Sequence, residues 1–470
     1  MKYYHISLLF FFAFLLFGCE SYVNVKTQGV LVPDEIINYR YLLNNTSQWE
    51  VGPSLGDVAS DDINIVDGSA QQGDLSASDY YSWFPNTYTW QSTIYPIGGY
   101  YQTDYDWNAM YNTITYANVV INEISSCKDG TAAQKAEYTA EALVHRADAY
   151  LMLVNQYAKP YNASTASSDP GVPLVLTEDT KQSLARASVQ AVYNQIIVDL
   201  EAALPSLPNT QTYTTLPTKA SAYGVLARTY LYMGNYAKAN EYADDALAIR
   251  NTLNDLSDIT ELSTSTYPIR IKDPEILLSK VAYGDASAYS PTVLRLSDDL
   301  LNLFDTNDKR YTLFTCDNSN ISSSYSDVDG RYFFKGIALN ESRNIGPSVP
   351  EMMLIKAEYF ARNNKPADAM IWVNNLRKKR FAAANYVELT ASTTDDALAK
   401  VIDERHREFF CRMLRWWDMR RLKDDSHFAK TITRTYGGKT YTLAPTSNRY
   451  VLPIPAYQIL LNPEIEQNPE

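Results

Sequence analysis

The sequence predicts a mainly α-helical scaffold of paired antiparallel helices, wound into a superhelix, with an irregular layer built from long insertions. Helical periodicity recurs in blocks across residues 107–250 and 350–425. Small residues punctuate those blocks at spacings that let helices approach closely. Between them lie long stretches rich in Ser, Thr, Asn, Tyr and Asp, chiefly residues 44–106 and 251–347, with a further one at 159–187.

The first element is an export signal. Lys2 gives a weak positive start, and Leu8 to Phe17 form an apolar run too short to span a bilayer. The run ends in Leu16-Phe17-Gly18-Cys19, which resembles a bacterial lipobox cleaved before Cys19. Residues 1–18 are then a leader, and residues 19–470 form one unit tethered through lipid on Cys19. Several acyl chains on that cysteine give lasting attachment, since each buried methylene contributes about 0.8 kcal/mol.

Ile36 to Leu43 predicts an early helix, and residues 107–125 and 131–158 a helical pair. Residues 188–204 predict another helix, ended by Pro205 and Pro208. The clearest pair covers 220–249: Tyr223, Leu226, Ala227 and Tyr230 stripe one helix, Gly234 and Asn235 turn the chain, and Ala239, Ala243, Ala246 and Leu247 face the next. That is the spacing of a tetratricopeptide repeat. A weaker copy has Ala357 and Phe360 before a turn at Asn363 and Asn364, with Ala369, Val373 and Leu376 after it. Residues Glu404 to Arg421 read as one structural helix, salt-bridged and packed on Phe409, Phe410, Trp416 and Trp417. After Tyr441 a proline-rich tail predicts an extended strap.

Several chemistries are not supported. A net charge of −13 argues against nucleic acid. Cys127, Cys316 and Cys411 have no metal-ligand spacing, so no metal or cofactor is expected. There is no nucleophile elbow, HExxH, phosphate-binding loop or dinucleotide fingerprint. Asp61 and Asp62 are adjacent and cannot easily flank a glycosidic bond. The chain reads as a binding protein and not an enzyme.

The informative excess is tyrosine, 37 in all, with a dense aromatic run from Tyr80 to Tyr105. Rings stack on the C–H faces of sugars while amides and acids bind their hydroxyl edges. Most of these aromatics are expected to be structural. Tyr81, Trp83 and Trp90 are the expected exposed platform, Asp62 and Asn86 the edge-binding groups, and Tyr283 with Tyr289 an opposing wall.

The order of several segments resembles the SusD/RagB family over nearly the whole chain. They are Ser60-Asp61-Asp62; the W..MY..I..AN pattern of Trp107, Met110, Tyr111, Ile114, Ala117 and Asn118; Gly171-Val172-Pro173; Asp273-Pro274-Glu275; PEMMLIKAEYFAR; IDERHREFFCRMLRWWDMRRL; and VLPIPAYQILLNPEIEQNPE. The resemblance implies about four tetratricopeptide-like units and a lipoprotein on the outer-membrane surface. It also implies capture of oligo- or polysaccharide for a partner SusC-like TonB-dependent transporter. Peptide capture, or a structural adaptor with no small ligand, are the alternatives. One departure is local: where the family carries an acidic residue and a glycine, this chain has Arg412 and Met413.

Overall fold

The computed structural model describes residues 34–178, 182–282, 294–321 and 328–469. The leader, Cys19, Tyr283 and Tyr289 lie outside the described residues. Helices dominate, and strands are short and paired in twos. Among the described residues no helix is long and apolar enough to cross a membrane.

The early helix α1 is Ile36–Leu43, followed by the short α2 at Leu55–Ala59 and α3 at Trp83–Tyr88. The first long pair is α4, Tyr105–Glu123, and α5, Ala132–Tyr157. Local chemistry sets their starts. The Asp104 carboxylate accepts from the amides of Asp106 and Trp107, and Thr131 with Gln134 forms a reciprocal capping box. Helix α6, Val189–Ala203, packs on α5 and is capped by Ser188.

The repeat-like pair is α7, Lys219–Tyr232, and α8, Tyr236–Ile249. Gly234 takes φ 72°, which a Cβ would penalise, and Asn235 caps α8 by accepting from the Lys238 amide. Ala239, Ala243 and Ala246 are wholly buried in the seam. The next pair is α9, Val349–Arg362, and α10, Pro366–Arg377, with Asn364 left-handed in the turn and Pro366 opening α10.

Although about a hundred residues separate α8 from α9, the two pack directly on each other. The superhelix is therefore continuous in space where it is interrupted in sequence. Arg228 of α7 crosses the seam to Glu351 of α9 through two bonds of 2.8 and 2.6 Å, with both side chains buried. The insertion between the blocks returns to the N-terminal region, where β1, Val51–Gly52, pairs in parallel with β2, Val281–Ala282.

Two expectations need correction. Residues Glu404 to Arg421 are not one helix: α11 ends at Phe409 (Thr394–Phe409) and α12 begins at Leu414 (Leu414–Leu422). Between them Cys411 and Met413 take φ of 53° and 65°, the left-handed region that breaks a helix. The tail after Tyr441 is only partly extended. Lys439–Leu443 is β4 of a hairpin with β3, Ile432–Tyr436, and a helical turn covers Ala456–Leu461. The tail is strapped to the C-terminal end of α5, where Leu452 N–H donates to the Gln156 carbonyl at 3.0 Å and the Asn468 amide donates to that of Tyr157 at 2.8 Å.

Candidate functional site

The Ser78–Tyr105 stretch sorts its aromatics into two layers. Trp83 and Trp90 are 2% and 6% exposed, whereas Tyr100 is 66% and Tyr105 37% exposed. Trp83 and Phe84 lie edge to face in the core beside Tyr88, Ile94 and Tyr95. Trp90 donates its indole N–H to the Ala59 carbonyl at 2.9 Å. From the hairpin, Arg434 lies over the rings of Tyr88 and Trp90 at 4.1 and 4.4 Å and donates to the carbonyls of Val58, Ser60 and Tyr88. Burial of that guanidinium lowers its pKa to about 10.

The tryptophans expected at the surface are thus the floor beneath it. Asn86 is half-buried and its amide donates to the Ile94 carbonyl at 3.0 Å, which pins the loop. Among the described residues singled out from sequence, Tyr81 alone joins the tyrosine cluster that lies above that floor.

That cluster comprises the exposed Tyr100 and Tyr105 and the half-buried Tyr80, Tyr81 and Tyr101. Tyr80 sits centrally, with ring centroids 4.9 Å from Tyr81, 5.0 Å from Tyr100 and 5.2 Å from Tyr101. Tyr101 continues the chain of contacts to Tyr100 at 4.9 Å and Tyr105 at 5.5 Å, both edge to face. Edge-to-face contacts fix each ring by its neighbour. Two backbone devices present them. A 3₁₀ turn at Asp79–Tyr81 is capped by Ser78, and Gly98, at φ 82°, turns a loop tip whose amide donates to Gln102 Oε1 at 3.2 Å. Exposed Ile97 and Asp79 lie beside the rings in sequence. Tyr100 follows Pro96 and the glycine pair Gly98-Gly99, and that turn signal marks a loop tip where a side chain is exposed.

Asp62 also proves structural. It is fully buried, its Oδ1 lies 2.7 Å from His406 Nε2, and its Oδ2 accepts from the Cys411 amide at 2.7 Å. Asp61 forms a two-bond pair with Arg415 at 2.6 and 2.7 Å and also holds Lys430 at 2.8 Å. Arg415 and the other nearby cations hold the Asp61 carboxyl well below its usual range, against burial. Asp57 accepts from the Met413 amide at 2.7 Å and faces Arg343; burial and the nearby Asp62 push its pKa to about 6. These early acids catch the two left-handed amides of the α11–α12 break. Met413 is packed so closely that a Cβ on Gly56 of α2 would come within 2.5 Å of its Cε.

Asp61, Asp62 and His406 are also the set that comes closest to a cation ligand set among the described residues, their donor atoms all within 4.8 Å. Asp61 is committed to Arg415 and Lys430, and Asp62 to the Cys411 amide and to His406, so the arrangement is accounted for as a clamp. A cleft of about 400 Å³ opens over His406, Arg415 and Lys430, but those side chains face the same acids.

Comparison with known proteins agrees with this architecture. A family model described as starch-binding, associating with the outer membrane, matches residues 26–231, and the SusD family model matches 350–470. The chain belongs to the SusD/RagB family. Its relatives include SusD-like protein P2 of Formosa agariphila, 24% identical over 414 residues, covering 77% of this chain and 79% of that protein. A SusD-superfamily protein from Bacteroides thetaiotaomicron superposes with a TM-score of 0.70 at 21% identity, covering 93% of this chain and all of that one. A SusD-like carbohydrate-binding protein from Bacteroides vulgatus gives 0.63 at 19% identity, covering 92% and 97%. The family consists of binding proteins of the outer membrane that work with SusC-like transporters.

Proposed function

We propose that this chain captures oligo- or polysaccharide at the cell surface and delivers it to a SusC-like TonB-dependent transporter, held at the outer membrane by lipid on Cys19. The tyrosine cluster carries the reading. A group of aromatic rings that exposes Tyr100 and Tyr105 and half-exposes three more costs solubility unless it meets a partner. Rings whose orientation is already fixed by one another lose little side-chain freedom on binding. Phenol hydroxyls at the rim and the neighbouring Asp79 and Gln102 supply polar edges for sugar hydroxyls. Stacking without chemistry suits a protein that must release its cargo.

The test is titration calorimetry of the full chain in detergent against a panel of neutral and acidic polysaccharides and peptides, with Tyr100→Ala and Tyr80→Ala beside it. Saturable glycan binding that either substitution weakens supports the reading; binding of peptides alone, or of nothing, removes it. Cys19→Ala is expected to move the protein from the membrane fraction to the soluble one.

A further inference from the structure

A second site lies away from the tyrosines, where the 251–347 insertion folds against the α11–α12 break. It is a cavity of about 60 Å³, walled by Tyr267, Phe314, Phe333 and Phe410 and reaching solvent beside exposed Ser342. By volume it holds roughly four waters, or one carboxylate and the carbon bearing it.

Its charges are unevenly satisfied. The wall acids are engaged: Glu275 and Glu408 both hold Arg380 at 2.8 Å, Glu408 also holds Arg310, Asp273 accepts from Asn254 at 2.8 Å, and Glu341 accepts from the Arg270 amide at 2.9 Å. Two wall cations are engaged as well, Arg270 with Glu50 and Arg343 with Asp57. Lys335 and Arg412 are different. Among the described residues neither has a carboxylate within ion-pair distance. The Lys335 ammonium rests over the rings of Tyr267 and Phe314, at 4.2 and 4.5 Å, and donates to the Tyr267 hydroxyl at 2.8 Å. Arg412 spends its Nε on the Asn344 carbonyl at 2.7 Å. Ser348, 2% exposed and lining the same cavity, has an Oγ with no hydrogen-bond partner.

We infer that this cavity binds a carboxylate group, with Lys335 and Arg412 supplying the charge and Ser348 a hydroxyl donor. A carboxylate is the anion whose planar oxygens suit an ammonium and a guanidinium together, and the aromatic walls accept the carbon behind it. Two sources share that chemistry, a small organic acid and the acid group of a uronic sugar. Burial lowers the Lys335 pKa to about 8, with Arg412 pushing the same way and Asp273, Glu275 and Glu408 opposing. The Lys335 ammonium therefore keeps most of its charge at pH 7 and loses most of it by pH 9.5.

Matched pairs test this on the full chain: acetate against acetamide, and glucuronate against glucose, by calorimetry at pH 7 and pH 9.5. The expected result is saturable binding of at least one acid, none of its neutral partner, weaker binding at the higher pH, and about a tenfold or greater loss in Lys335→Gln and in Arg412→Gln. Acetate binding assigns the pocket to small acids, and glucuronate binding alone to sugar acids. A readout on the unsubstituted protein covers the case in which either variant misfolds. Cyanate labelling of Lys335, followed by mass spectrometry, should slow in the presence of the bound acid and not of its neutral partner. Equal heats for acid and neutral partner, no heat for either acid, or no protection of Lys335 overturns the assignment.

Discussion

The stretch from Ser78 to Tyr105 and the stretch from Glu404 to Arg421 are both crowded with aromatic and polar side chains, yet they use them in opposite directions. In the later stretch the charges point inward. Glu404, Arg405 and Arg310 are wholly buried and Asp418 nearly so, and the acids and guanidinium groups neutralise one another: Arg310 with Glu404 and Glu408 at 2.8 and 2.7 Å, Arg405 with Asp418 at 2.9 Å, and Arg421 with Asp418 and Glu358, each at 2.7 Å. In the earlier stretch the aromatics divide, with Trp83, Phe84, Tyr88, Trp90 and Tyr95 in the core and Tyr100 and Tyr105 exposed. Residue type alone does not say which way a side chain faces. A partner inside favours burial: the Trp90 N–H finds the Ala59 carbonyl and the Tyr88 hydroxyl accepts from the Ile65 amide, whereas Tyr100 stands exposed.

Substitutions can break this contrast, and the largest effect is expected where sequence first suggested a ligand contact. Trp83→Ala should cost about 3–5 kcal/mol of stability, read as a lowered midpoint of denaturant unfolding, because it empties a buried indole site. Lost glycan affinity with unchanged stability would instead return Trp83 to the surface role. Next comes acid. Arg405 and Arg421 hold the Asp418 carboxyl down at about 2 against burial. A depressed carboxyl adds stability above its unfolded value, near 4, and loses it as the pH falls towards 2. Unfolding free energy should therefore drop by about 2 kcal/mol between pH 5 and pH 2 from this group alone. Asp418→Asn should flatten that part of the profile. The smallest effect is on the platform: Tyr100→Ala should leave the unfolding midpoint unchanged and weaken glycan binding roughly two- to tenfold, the worth of one stacked ring.

Much of the scaffold was legible because its signals are local. The Gly234-Asn235 turn acts within four residues, and the helices predicted at 36–43, 107–125, 131–158 and 188–204 are found at Ile36–Leu43, Tyr105–Glu123, Ala132–Tyr157 and Val189–Ala203. The α11–α12 break was not legible, because no glycine marks it; Cys411 and Met413 are held left-handed by Asp62 and Asp57, which lie far away in sequence. The tyrosine layer was half legible. Composition pointed to the segment, but an irregular loop has no period, so nothing in the spacing separated Tyr100 from Trp90. The size of the indole and the Pro96–Gly99 turn were the available signals.

The clamp between residues 57–62 and the α11–α12 break also bears on how the chain reaches its native state. Its carboxylate-to-amide bonds join residues 349 and 356 positions apart. Contacts of such separation form late, after the loop they close has lost its freedom. A nascent chain can complete its N-terminal helix pairs early, but Cys411 and Met413 cannot settle until both ends of the molecule are present together. Removing the residues up to Asp62 should therefore damage a helix junction more than three hundred residues downstream. A proteolytic fragment that looks like an intact run of repeats would then still be an unfinished fold.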